Sequence, residues 1–347
     1  MSIFAEMDAA APRVAPRSPV YAYRMRWKRR RLLLRALRRR HELARCRVHP
    51  ERIKAAPTLA FATLRNERAR LPQFLDHHRA LGVDHFLIVD NDSEDGTADF
   101  LRGQPDVSFW HAAGSYKQAR FGVDWLTCLQ FRFGHGKWCL TLDADELLVL
   151  PGGRDLGQLT AHLDATGRVA FGALMLDLFP KGPVNVGHFA AGDDPRDHLP
   201  WFDADGYRAR RHPVFDNLWI QGGPRDRVFF ADQPDRAPTL NKTPLVKWRR
   251  GYAYVTSTHQ ALPLRLNRVF EPGRPTGVLI HSKFLPDVAA RSAEELHRRQ
   301  HFENAALYTR YHESLIAGVD FWHPDATRYD GPEQLESLGL MSCGDWR

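Results

Sequence analysis

Long apolar runs are missing from the 347-residue chain. No stretch approaches the ~18 consecutive apolar residues a membrane-spanning helix needs. The opening MSIFAEMDAAAPRVAPRSP also lacks the apolar core of a secretory signal. Cysteine is scarce: Cys46, Cys128, Cys139 and Cys343 have neither zinc-type nor disulfide-framework spacing, which excludes a stapled mini-fold and fits reduced thiols in the cytoplasm. There is no internal repeat, so a solenoid is excluded. Apolar residues are nonetheless plentiful, at 43% against 26% charged, which excludes wholesale disorder. The length suits one large α/β domain or two ordinary ones.

The net charge of +8 conceals an asymmetry. Residues 1–56 hold 16 Lys and Arg against four acids, whereas the remaining 291 residues hold 33 bases against 37 acids. The basic character therefore belongs to an N-terminal arm. Residues 1–20, rich in Ala and Pro, are expected to be disordered. Arg24–Arg40 (RMRWKRRRLLLRALRRR) predicts a basic amphipathic helix with Met25, Leu32, Leu33, Ala36 and Leu37 on one face. Such a helix suits the anionic inner face of a membrane, where each basic residue near the surface contributes ~1 kcal/mol. Nucleic acid would attract the same arginines, but the acidic body offers no basic face to extend that footprint, so no nucleic-acid partner is expected.

From Pro57 onward strand and helix signals alternate. Thr58–Leu64, His85–Asp90 and Val107–His111 are apolar runs of strand length. Leu71, Phe74, Leu75, His78 and Leu81 recur at helical spacing up to Gly82, a short helix is expected around Ala98–Leu101, and Tyr116–Phe133 has helical periodicity. Lys137–Leu150 is expected as one strand running into an acidic turn. This alternation predicts a single large α/β domain with a mostly parallel, Rossmann-like sheet. Its divisions are the arm (1–56), a first half (57–150), a second half (151–290) and a C-terminal helical segment (291–347). The second half is expected to carry long loops, with short strands near Ala170–Leu178, Val228–Phe230, Tyr252–Thr256 and Val278–Ile280. A helix from Ser292 to about Ala317 is expected, capped by Ser292, Glu294 and Glu295.

In a doubly wound sheet, ligands gather beyond the carboxyl ends of the strands, and two acidic turns fall there. Asp143 and Asp145 in LDADE alternate just past a buried strand, an arrangement that can hold a hard divalent cation bridging phosphate oxygens. Such a cation would stabilise a departing diphosphate. In IVDNDSEDGT, Asp90 can accept a hydrogen bond from a nucleobase N–H.

The segments TLRNERARLPQFLDHHRALGVDHFLIVDNDSEDGT, KQARFG and LTLDADELL, in this order, resemble the nucleotide-sugar half of bacterial family 2-type glycosyltransferases of the GT-A fold. The similarity is closest to the RNE-containing branch related to family 92. By that resemblance Thr63, Asn66, Glu67, Asp90, Asn91, Gln118, Arg120 and Asp143 would line the nucleotide-sugar pocket. Asp145 would be a direct ligand of Mn²⁺ or Mg²⁺, with Asp143 between ribose and metal, and His259 or His281 would supply a later ligand. Phe121 stands where the family has Asn. The family's acidic pair in the acceptor half is missing, which leaves Asp194 and Asp226 as substitute catalytic bases, with Asp193 beside Asp194. Lys247 and Lys283 are either solvated or diphosphate contacts. Trp201, Phe202, Tyr207, Trp219 and Trp248 are core residues or stacking surface for a sugar. The resemblance implies inverting, non-processive transfer of a hexose from a UDP-sugar to a surface glycan or lipid-linked acceptor. The basic helix would hold such an enzyme peripherally at the cytoplasmic face of the membrane. The alternatives are a nucleotidyltransferase, disfavoured because LRNERARLP has no glycine-rich phosphate loop, and a non-catalytic nucleic-acid- or carbohydrate-binding protein.

Overall fold

The computed structural model describes residues 2–11, 18–298 and 305–346. A nine-stranded sheet organises them: β1 Ala44–Arg47, β2 Thr58–Leu64, β3 His85–Asp90, β4 Val107–His111, β5 Trp138–Thr141, β6 Glu146–Val149, β7 Ala170–Asp177, β8 Asn241–Lys247 and β9 Thr276–His281. Their order across the sheet is β1-β4-β3-β2-β5-β8-β7-β9-β6. Strands β4, β3, β2 and β5 form a parallel block, and β7 and β9 are parallel to each other. Only β1, β8 and β6 oppose their neighbours, so six of the nine strands share one direction. The sheet is mixed but predominantly parallel.

The central strands are continuous apolar runs because both faces are covered. Every residue of β2, β3 and β7 is buried. Helices α3 Leu71–Ala80, α5 Val123–Phe133 and α6 Leu156–Ala165 are among those packed around the sheet. Further helices are α1 Ile3–Ala10, α2 Pro19–Arg38, α4 Thr97–Gly103, α7 Gly223–Phe229, α8 Val288–Arg298 and α9 Ala305–Ile316.

The structure departs from the sequence expectations in places, each with a physical reason. Residues 2–11 do not follow the Ala/Pro-rich expectation of disorder. Ser2 caps α1, Phe4 is fully buried between Tyr207 and Phe270, and Asp8 pairs with Arg211 at 2.9 Å. Lys137–Leu150 is two strands, not one. The chain leaves β5 through the acidic turn and crosses to the far edge of the sheet, where β6 pairs with β9. Val228–Phe230 belongs to the end of α7, not to a strand. The helix expected from Tyr116 begins at Val123, after a turn containing Arg120, Phe121 and Gly122 at positive φ. Ser292 lies inside α8, which starts at Val288, so it is not a cap. Part of the span up to Ala317 lies outside the described residues.

Candidate functional site

The strand register brings the chemistry together. β9 lies between β7 and β6, and His281 at its carboxyl end is in register with both Asp177, the last residue of β7, and Glu146, the first of β6. The Asp143–Asp145 turn leads directly into Glu146. It is tied down from both sides: Asp143 N–H donates to Glu146 Oε2 at 3.1 Å, and Ser282 N–H donates to the Asp145 carbonyl at 2.8 Å.

His281 is held between two carboxylates. Its Nδ1–H donates to Asp177, and its Nε2 faces Asp145 Oδ2 at 3.2 Å. Asp177 is in turn gripped by Arg225, whose Nε and second guanidinium nitrogen donate at 2.7 and 3.1 Å. Burial opposes the charge of all three ionisable groups of this chain, yet their partners prevail. The Asp145 and Asp177 carboxylates raise the His281 imidazole to about 9. Arg225 and His281 hold Asp177 down to about 2, and His281, Arg70 and Lys283 hold Asp145 well below the usual carboxylate range. The carboxylate–imidazole arrangement of Asp177 and His281 is the one that fixes the tautomer of a metal-binding histidine, here with Nε2 turned to Asp145.

A second cluster adjoins the first. Lys242, near the start of β8, is buried, with Nζ 2.8 Å from Asp143 Oδ2 and in contact with Glu146. Burial disfavours its charge, but the two carboxylates outweigh burial and keep the ammonium protonated. Glu146, fully buried, is pushed up by desolvation against the pull of Lys242.

Asp143 and Lys242 form one wall of a small cavity, open to solvent, whose other walls include Thr63, Phe121, Thr141, Tyr254 and Thr258. The Oγ1 atoms of Thr63 and Thr258 are buried and have no hydrogen-bond partner among the described residues. Buried polar atoms are rarely left unsatisfied; two on one cavity wall suit a polar ligand. Gly122, at φ +77°, lets the chain pass so close to Thr63 that a Cβ would lie 2.7 Å from its Oγ1.

The remaining expected site residues are distributed unevenly. Asp90 ends β3, takes a hydrogen bond from Ser93, and is raised by burial. Asn66, Glu67 and Asn91 join the two loops beyond β2 and β3. Asn66 exchanges bonds with Ser93 and Glu94, Glu67 N–H donates to Thr97 and its carboxylate pairs with Arg291, and Asn91 Nδ2 donates to the Ala112 and Gly114 carbonyls. Arg120 is a staple, bound to Asp124 at 2.7 Å and to the carbonyls of Tyr254 and Val255; its neighbour Phe121 is the one lining the cavity. Gln118 is exposed, and its carbonyl accepts from Arg35. His259, lowered to about 3 by burial and the nearby Lys242 charge, donates from Nδ1 to the Asn241 carbonyl at 2.6 Å.

Both substitute bases are ion-paired. Asp226 is ion-paired with Arg208. Asp194 caps the Pro195–His198 helix and accepts from Arg196 and Gln73; burial would raise its carboxyl, but Arg196 holds it below the ordinary value. Asp193 pairs with His198. Lys247 lies at the opposite end of β8, paired with Asp164 at 2.7 Å, far from a diphosphate position. Lys283 stands over the Tyr311 ring, 5.6 Å from its centroid. Phe202 and Trp248 are core residues. Among the described residues no three carboxylate, imidazole or thiol groups converge as a complete metal cage.

Asp177, Arg225 and Lys242 did not figure in the sequence expectations. The signal for Asp177 was available: ALMLD ends a buried strand in an acid as HFLIVD does.

No family model matches the chain. It is similar to a glycosyltransferase family 92 protein of Oryza sativa subsp. japonica, 24% identical over 163 residues, which cover 42% of this chain and 27% of that protein. The match thus spans about a quarter of the relative's length. Among solved structures it is similar to a mannosyltransferase of Pyrobaculum calidifontis in complex with GDP-Man and Mn²⁺ (17% identity, 52% of this chain and 48% of that one, TM-score 0.26). Another is a putative glucose-1-phosphate thymidylyltransferase of Bacillus anthracis in complex with sucrose (10% identity, 39% and 63%, TM-score 0.23). The sequence likeness is to a glycosyltransferase; the low TM-scores of the two solved structures carry no argument about chemistry.

Proposed function

We propose that the chain is a metal-assisted glycosyltransferase that takes a sugar from a nucleotide-sugar donor, with UDP as the nucleotide, and transfers it to a hydroxyl of a glycan or lipid-linked acceptor. The observation that carries this reading is the Asp177–His281–Asp145 relay, in which Asp177 and His281 end the adjacent strands β7 and β9 and Asp145 comes from the turn entering β6, beside a cavity with two unpaired buried hydroxyls. Residues 57–150 supply the donor half and 151–290 the acceptor half.

Asp145 and Nε2 of His281 would hold a divalent cation, with the His281 proton displaced on binding, and the donor's diphosphate and water would complete its shell. That cation supplies charge neutralisation at the departing diphosphate. Lys242 holds Asp143 in place and adds a fixed positive charge at the cavity wall. Thr63, Thr258 and Asp90 are suited to the polar edges of a nucleoside. Transfer by a single in-line displacement gives inversion: the acceptor oxygen bonds to the anomeric carbon as the nucleoside diphosphate leaves, and the hydroxyl proton passes to water.

The test is release of nucleoside diphosphate from UDP- and GDP-sugars with Mn²⁺ or Mg²⁺ present. The wild type should release UDP from one UDP-sugar, and Asp145→Ala should not. Pyrophosphate release from a nucleoside triphosphate and a sugar phosphate, with no attack on any nucleotide sugar, would instead identify a nucleotidyltransferase.

A further inference from the structure

The basic helix α2 presents a different face to solvent from the one its sequence suggests. Met25, Leu32, Leu33, Ala36 and Leu37 turn at least partly inward, and Ala36 is fully buried. The helix is pinned in that orientation: Arg35 binds Asp124 at 2.7 Å, Lys28 lies over the Phe215 ring, and Tyr21 donates to the Val214 carbonyl. It packs against α5 and the Ala253–Thr256 strand, which also contribute walls of the cavity.

What remains outward is a second apolar stripe. Val20, Tyr23, Trp27 and Leu34 are 46–66% exposed and are four of the seven large hydrophobics exposed among the described residues. Their spacing of three, four and seven places them on one side of the helix. The Tyr23 and Trp27 rings meet edge to face, and Arg30 stacks over Trp27. Arg24, Arg30, Arg31 and Arg38, all exposed, lie in or beside the stripe and have no ion pair among the described residues.

We propose that this outer face of α2 docks the protein on an anionic lipid bilayer. Tyr23, Trp27 and Leu34 enter the headgroup region, and the surrounding arginines pair with lipid phosphate. Aromatic rings with a polar edge favour the membrane interface, and arginine binds phosphate through a bidentate fork. Charge complementarity selects this occupant. A second copy docking by the same face would set arginines against arginines, and a nucleic acid would leave Val20 and Leu34 in water. The docking does not depend on the chemistry of the cavity, although it would bring the cavity close to a lipid-linked substrate.

The test is co-sedimentation of the full chain with phosphatidylcholine vesicles and with equimolar phosphatidylcholine/phosphatidylglycerol vesicles, at about 0.1 M salt, where surface charges are only partly screened. The wild type should pellet with the anionic vesicles alone. The triple variant Tyr23→Ser/Trp27→Ser/Leu34→Ser, unchanged in charge, should bind at least tenfold more weakly, and Arg24→Gln/Arg30→Gln/Arg31→Gln likewise, with the thermal midpoint of each retained. Brominated lipid should quench part of the wild-type tryptophan emission, and that part should disappear in Trp27→Phe. The proposal is overturned by no pelleting, by pelleting indifferent to the apolar triple variant, or by quenching that survives Trp27→Phe. Self-association that depends on the stripe and needs no vesicles would also overturn it.

Discussion

Replacing Asp177 by Ala should strip two partners at once, Arg225 and the Nδ1–H of His281. The Arg225 side chain is 9% exposed and that of His281 8%, so neither survivor gains much water. Breaking a buried pair by removing one partner costs about 3–5 kcal/mol, a large share of the ~5–15 kcal/mol that stabilises a domain. Arg225→Met should fall in the same range but below Asp177→Ala, because His281 keeps its carboxylate. The double variant should lose less than the sum of the two, with a coupling of about 2–3 kcal/mol, since both single substitutions break the same buried ion pair. Urea unfolding of the four proteins reads this cycle directly. Additivity within about 0.5 kcal/mol would refute the claim that Asp177 and Arg225 act as one buried unit. Asp177→Asn keeps the shape while weakening the hold on the histidine, and should reduce Mn²⁺ affinity about 10–100-fold, as loss of a ligand's supporting partner does elsewhere.

Lys242→Met should destabilise the fold, because it strips the cation from the fully buried Glu146, which burial already pushes towards its protonated form, and adding Glu146→Gln should recover much of the loss in the same unfolding assay. Gly122→Ala should lower the melting temperature more than Gly96→Ala. Both glycines have positive φ, but a Cβ at 122 would also collide with Thr63, whereas the one at 96 meets nothing within 4 Å. The melting temperature should fall as pH drops below about 6.5, because burial holds His77, His78 and His85 neutral in the fold, His85 down to about 4. The unfolded chain takes up those protons first, so this stability is complete above pH 6.5 and is lost on the way to 4. His85→Gln should flatten the stability profile between pH 6.5 and 5 by at most ~1.4 kcal/mol per pH unit, the value for one proton.

The first half of the fold was legible because its signals are local. β2, β3 and β4 are short apolar runs separated by turns, and helix α3 shows its periodicity openly. β8 was hidden for the opposite reason: Asn241, Lys242 and Thr243 are polar yet buried, and Pro244 interrupts the run. Of these, Lys242 is the one that reaches the site. Asp143 and Asp145 announced themselves by their turn. The position of His281 between Asp177 and the acidic turn depends on the register of β9 with β7 and with β6, each about a hundred residues or more before it in sequence, which no local pattern encodes. The outward face of α2 was misjudged because the helix has two apolar stripes, and only packing against α5 decides which one is covered.

The most direct test of the donor site is thermal stability with UDP, GDP, CMP and ADP, each with and without Mn²⁺, on the wild type and Asp145→Ala. A ligand at a hundred times its dissociation constant stabilises by about 2.7 kcal/mol. The account predicts Mn²⁺-dependent stabilisation by UDP that disappears in Asp145→Ala. No response to any nucleotide with Mn²⁺ present, or an equal response in the variant, would contradict it.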